Sequence, residues 1–335
     1  MRHPDNIQLT AAEIGTLWYQ YMSDSMALQV LTVFCQQVED KEIRPIVEYA
    51  KGLSEKHLRK ISEIFGGENV PLPIGFTAED IDLAAPRLYS DPFYLSYLRN
   101  MGRVGLQRYG LALTSSARAD VRNFLHECIR SSADLDEKAT RIQLSKGLYV
   151  RSPYIPVPEG TDKVESNEFM GSLFGNQRPL LASEIDHIFV NAQSNIMGKA
   201  LFIGFSQVAQ EPDIRDYLLR GKRIAHKQIE VLSDTLKGED LPAPMSLDSY
   251  VTDSSTAPFS DKLMMYHAAM LETAGMGNYG VSISMSMRMD IALMYSRFMV
   301  EVGRYTKTGL QLTIKRGWME KPPQTVDRKA LVLSG

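Results

Sequence analysis

The sequence predicts an all-α protein of two tandem ferritin-like four-helix bundles related by internal duplication. Three observations carry this. The chain repeats itself at an offset of 170–171 residues, from "LTAAEIGTLW" onto "LLASEIDHIF" through "GENVPLP" onto "GEDLPAP". Between Leu9 and Pro73 no gap is needed, and 17 of 65 positions are identical, against roughly one in seventeen for average usage. Each copy then shows four long segments with apolar residues three to four apart. A connection of about 25 residues separates the second segment from the third, long enough to cross the bundle once, as in ferritin-like folds.

The elements follow in order. Ile14, Leu17, Tyr21, Leu28, Leu31, Cys35 and Val38 form the first stripe, and Thr10 with Glu13 has capping-box spacing. The second carries Ile46, Ala50, Leu53, Ile61 and Ile64, with Pro45 tolerable in a first turn and Gly66-Gly67 as the stop. The turn near Asp40 is so short that these two helices must be antiparallel neighbours. The third segment runs over about 92–114 and the fourth over about 117–147. At about 25 residues each, the rods are roughly 37 Å long. After the prolines one residue drops out, and "KGLYVRSP" meets "RGWMEKPP" at the new offset. The expected organisation is copy one over 1–155, a Pro- and Gly-rich linker over 156–179, copy two over 180–325 and a tail over 326–335.

Composition narrows the function classes. A net charge of −3 over 335 residues offers no footprint for nucleic acid, and no run reaches the length of a membrane span. The start "MRHPDNIQLT" lacks the apolar core of a secretion signal, so a cytoplasmic location is expected. Cys35 and Cys128 have no metal-type spacing and read as two buried thiols rather than a disulfide. No nucleophile–base set, P-loop or dinucleotide fingerprint is present.

A ferritin-like bundle invites a search for a di-metal site, which needs several carboxylates and Glu-x-x-His pairs at one level. Only Glu184 and His187 match that spacing, at a helix start, where a glutamate near the N-terminus beside a surface histidine is sufficient reading. Asp24 and His57 interrupt the stripes of helices one and two at equal distances from the turn, so they should face each other. Asn195 and Gln228 occupy the same places in copy two. Each pair is either a satisfied register lock or, in copy one, a residual metal or small-ligand site for iron, manganese or zinc. Cys128 and Ser132 face the same interior from helix four. Glu272 and His267, five apart, read as rim residues; Arg118 with Asp120 and Arg288 with Asp290 read as caps and surface pairs. Methionines between 264 and 299 read as core. Gly105, Gly110, Gly275 and Gly280 imply close helix approach or a cofactor against backbone.

"GFTAEDIDLAAPRLYSD", "SARADVR", "KGLYVRSPYIP" and "APFSDKLMMYH" with "GNYG" resemble the bacterial family catalogued as domain of unknown function 3231. The resemblance spans both copies. It implies a ferritin-like fold, a broad kinship with spore-coat bundle proteins and spore-forming bacteria, and no catalytic residues. The expected function is therefore a non-enzymatic structural or interaction protein linked to sporulation or stress. The alternative is a metal- or small-ligand-binding protein with its site between helices one and two of copy one. The two bundles should pack on each other; no protein partner is specified.

Overall fold

Thr10 opens the first helix as its spacing with Glu13 requires. The Glu13 N–H donates to the Thr10 hydroxyl, and the Thr10 N–H donates back to the Glu13 carboxylate at 2.8 Å. Helix α1 (Ala11–Gln37) turns back into α2 (Arg44–Gly67), whose Pro45 sits in the first turn where its missing N–H costs nothing. After a long crossover, α3 (Asp91–Thr114) and α4 (Ala119–Ser145) complete the first bundle. The second bundle repeats the order with α5 (Ala182–Val208), α6 (Pro212–Lys237), α7 (Asp261–Met285) and α8 (Met289–Lys315). The computed structural model describes residues 7–171, 177–328 and 332. Residues 1–6 of the expected first copy, 172–176 of the linker, and 329–331 and 333–335 of the tail lie outside the described residues. Among the described residues no extended strand occurs, and no helix is long and apolar enough to cross a membrane.

Buried carboxylates hold the helix ends. Glu13 accepts from the N–H groups of Ala117 and Arg118 at 2.9 and 2.8 Å, so one side chain caps α1 and ties it to the start of α4. Glu184 does the same for α5 and α8 through Met287 and Arg288. Asp91 at the start of α3 receives the N–H of Asp40 at 2.7 Å, and Asp261 receives that of Glu211 at 2.8 Å. Arg118 and Arg288, expected as surface caps, are buried instead. Each binds its neighbouring aspartate (Asp120 or Asp290) and also a glutamate (Glu68 or Glu239) past the end of the second helix of its bundle. Three helix ends converge there and cover the guanidinium, while its acidic partners stay partly exposed.

The two crossovers meet. Ile81 bridges Phe259 and Tyr89 bridges Val251, antiparallel. At the offset of 170, residue 81 corresponds to 251 and 89 to 259, so each bridge is the mirror of the other about a two-fold axis. The hydrogen bonds obey the same rule. Asp82 N–H to Pro258 C=O is matched by Thr252 N–H to Leu88 C=O, both 3.0 Å; Ser90 N–H to Tyr250 C=O at 2.9 Å is matched by Ser260 N–H to Asp80 C=O at 2.8 Å. Tyr97 and His267, equivalent residues, touch across the axis at 3.3 Å.

Consequently α1 packs on α7 and α3 on α5 across the halves, and one continuous core runs from copy one into copy two. The first helix of each copy is buried well beyond its expected stripe. In α1 Trp18, Met22, Met26, Ala27 and Val33 are all buried, because one face meets its own bundle and another the partner bundle. Tyr89 is wholly enclosed at this junction: its hydroxyl donates to the Leu201 carbonyl at 3.0 Å and its ring stacks on Phe93. Gly204 permits the approach, since a Cβ there would lie 2.5 Å from the Tyr89 oxygen. Gly105 is likewise required, with a Cβ 2.4 Å from Ser132 Oγ, whereas Gly110, Gly275 and Gly280 face open space and nothing in their packing explains them.

Tyr89→Ala removes this plug from both halves at once. It should lower stability by about 3–5 kcal/mol, read as a drop in the urea midpoint, with far-ultraviolet circular dichroism showing the helices retained below the transition.

Candidate functional site

Asp24 lies midway along α1 and His57 midway along α2, and the structure brings them together. His57 Nδ1 is 3.2 and 3.3 Å from the two carboxylate oxygens, with both side chains buried. Gln20, one turn before Asp24, donates to the same carboxylate at 3.3 Å and lies 3.7 Å from Cys128 Sγ on α4. Phe124 and Tyr109 meet the imidazole edge-on. Burial alone would push the histidine down; the Asp24 charge, its hydrogen bond and a smaller contribution from Cys128 outweigh it, and the imidazole is raised from 6.5 to about 10. His57 is thus an imidazolium at neutral pH and Asp24 its counter-ion. A divalent metal would require His57 neutral and at least one more ligand. Among the described residues no three His, Cys, Asp or Glu side chains form such a group.

Copy two replaces the ion pair by amides. Asn195 donates to Gln228 at 3.5 Å, and the Tyr279 hydroxyl reaches both amide oxygens at 2.9 and 2.8 Å. Gln228 in turn donates to Glu301 at 3.2 Å. Tyr279 is the counterpart of Tyr109, so the same tyrosine closes the polar layer in both copies.

Glu184 and His187 are not brought to a common site. Arg178 binds both oxygens of Glu184 at 2.9 Å, and three backbone N–H groups fill the remaining positions. Burial opposes this charge, yet Arg178 and the N–H donors hold the carboxyl below its ordinary value. His187 is half-buried rather than on the surface, with its Nδ1 3.4 Å from Ser282 Oγ.

Glu272 and His267 are not rim residues. Both are buried, because α7 is enclosed on two sides and residues five apart face different neighbours. His267 points at the axis and Tyr97; burial lowers it to about 4, so it is neutral. Glu272 points into the second bundle, where Tyr217 donates to it at 2.7 Å; burial raises it to about 7. Cys35 is half-buried and Cys128 fully buried, both as free thiols. Of the methionines, Met264 and Met265 are core, but Met285, Met287 and Met289 are exposed at the turn between α7 and α8.

A cavity of about 420 Å³ opens between α1, α3 and α7. It therefore lies beside the Asp24–His57 pair, not between helices one and two. Asp24 and Gln20 form part of its wall, with Tyr109, Tyr97 and His267; Val104, Met101, Leu271 and Ala274 make the apolar side. Arg108 lines it too, and the Met270 sulfur at 3.7 Å is the hydrogen-bond partner of its guanidinium. The corresponding space in copy two, beside Asn195 and Tyr279, is only about 80 Å³. Sequence reasoning missed Arg108 and the cavity, because both depend on α7 arriving from the other copy. The equivalence of Tyr97 and His267 in the repeat is the one signal that pointed there.

Two titrations test these assignments. His57 should remain protonated until about pH 10, and Asp24→Asn should bring it far down, as burial is then opposed only by the smaller contribution of Cys128; the imidazole shifts in NMR report both. The ion pair's contribution to stability is complete below pH 6.5 and lost as pH rises through about 10. Glu272, raised from 4.5 to about 7, has the same sign: its contribution is complete below pH 4.5 and lost as pH rises through 7. Glu272→Gln should therefore leave stability near pH 4 unchanged and raise it by roughly 2–3 kcal/mol at pH 8, measured by denaturant titration at both pH values.

The comparisons with known proteins differ in what they carry. A solved structure described as a "putative spore coat protein" from Bacillus halodurans C-125 is similar over 45% of this chain and 98% of its own, at 19% identity and a TM-score of 0.42. That likeness is too distant to carry an argument. No curated protein matches the sequence. The family described as "Protein of unknown function (DUF3231)" matches twice, over residues 2–160 and 168–331. The chain belongs to that family and carries its unit in duplicate.

Proposed function

We propose that the protein binds a small amphipathic molecule in the cavity between α1, α3 and α7. The observation that supports this is the cavity itself: about 420 Å³, within the usual range for small-molecule sites, apolar on one side and polar on the other. The neutral Asp24–His57 ion pair at the wall contributes dipole without net charge. Among the described residues no carboxylate pairs with Arg108, so it suits a ligand with an anionic end and an apolar body. The single long crossover supports the ferritin-like reading of each bundle, with the ligand site at the junction of the two copies. A cytoplasmic, bacterial setting belongs to the same proposal.

A structural or interaction role is the second reading, and its link to sporulation, stress or the spore rests on the family resemblance. The observation favouring it is an exposed apolar patch at the α7–α8 turn, made by Val281, Met285, Met287, Met289 and Leu293. In copy one Leu111 is the apolar counterpart of Val281, but Ser115, Ala117 and Asn123 stand for Met285, Met287 and Leu293, so the patch is much reduced there. Crosslinks to another protein at this turn, lost in Met287→Lys, would carry that reading; their absence in the producing cell would retire it.

Titration with 8-anilinonaphthalene-1-sulfonate, an apolar body bearing a sulfonate, tests the first reading. Saturable one-to-one binding is expected in the wild type, abolished by Val104→Trp, which fills the cavity, and weakened about tenfold by Arg108→Gln. Unchanged binding in Val104→Trp would sink the proposal.

A further inference from the structure

We propose a second binding site: the cleft between α3, α5 and the second crossover takes an oxyanion, a phosphate- or carboxylate-type group, through Arg99 and Arg103. The cleft has a volume of about 80 Å³, enough for one such group, and both arginines line it from successive turns of α3. Two like charges held side by side in a partly buried place need an anion. The available ones are few. Asp136 is 3.8 Å from Arg99 Nε, which is buried and makes no hydrogen bond, and Asp186 acts on Arg103 only at longer range. Arg99 also stacks on Tyr149 and donates to its hydroxyl at 3.1 Å. Among the described residues no acceptor lies within hydrogen-bond reach of Arg103. Burial and then the Arg99 charge push its guanidinium down from its ordinary value, so the nearby acids do not compensate.

The internal symmetry supplies an independent argument. At the pseudo-equivalent cleft on the other side of the axis, the chain inserts its own carboxylate. Glu320 accepts from the N–H groups of Ile74 and Gly75, both at 2.7 Å. At the offset of 170 Glu320 and Gly75 correspond to Val150 and Met245, and Ile74 is the residue that drops out after the prolines. The carboxylate has become an apolar side chain, and one N–H donor has gone with the dropped residue. In exchange Arg99 and Arg103 stand where copy two has Ala269 and Thr273. One cleft thus holds an anion from within the chain on backbone donors. The other offers guanidinium donors to an anion from outside. This site shares no charged residue with the cavity at Arg108, so either can fail without the other.

The test uses the full chain, with thermal unfolding and isothermal titration against inorganic phosphate, glycerol 2-phosphate and sodium chloride at matched ionic strength. A saturable rise in Tm with phosphate and none with chloride is expected. Arg103→Gln should weaken phosphate binding about tenfold or more, since a bidentate donor is lost. Val150→Glu, which rebuilds the carboxylate of the twin cleft, should abolish it by occupying the arginines; this variant carries the test if Arg103→Gln fails to fold. Tighter binding of glycerol 2-phosphate than of phosphate assigns the site to an anionic group on a larger molecule, and the reverse order to the free ion. No saturable response to either anion, or the same response in Arg103→Gln and Val150→Glu as in the wild type, overturns the proposal.

Discussion

The pairing of the two crossovers is the constraint on which the rest of the structure depends. A four-helix bundle with one long connection leaves that connection's backbone groups without partners inside its own helices. Here each crossover satisfies them with the other, through matched hydrogen bonds about a two-fold axis. Once the connections are joined, α1 must lie on α7 and α5 on α3, and one core runs from the first bundle into the second, with a further cluster around Ile188, Tyr279 and Tyr295 in copy two. Tyr89, Phe93, Phe205 and Phe259 fill the junction, contributing aromatic burial that neither copy could achieve alone.

A duplicated chain is free to let its halves diverge at equivalent places, and the polar interior shows this most plainly. One layer is an imidazolium–carboxylate pair, the other an amide pair closed by a tyrosine. The charged version is the costlier to bury and the more sensitive to losing a partner. Similar divergence sets a buried carboxyl, Glu272, against the glycine at 102, whose absent side chain lets α3 approach the α4 backbone near Asp136. The axis itself joins unlike residues, Tyr97 with a neutral histidine.

Functional asymmetry follows from this divergence. In copy one α1 and α3 stand apart and a cavity forms beside Asp24; in copy two the space beside Asn195 is small. On the opposite flank, one cleft is closed by Glu320 and the other is lined by two arginines. The fold is symmetric in its backbone and asymmetric in its chemistry, the expected outcome when one copy is sufficient to keep the scaffold and the other can vary.

The sequence alone determined the duplication, the eight helices and their antiparallel order, because apolar spacing, capping residues and connection lengths are local properties of the chain. It also determined that Asp24 faces His57, since two residues equidistant from a short turn must meet at one height. Which side of each helix meets the other bundle was decided only by the tertiary structure. Glu272 and Arg118 look like solvent-facing charges by spacing, and become buried because a second surface covers them. The cavity beside Asp24, with Arg108 in its wall, and the paired guanidiniums of Arg99 and Arg103 arise where segments more than a hundred residues apart converge. Periodicity records that a helix has a buried face; it holds no information about what arrives to bury a second one.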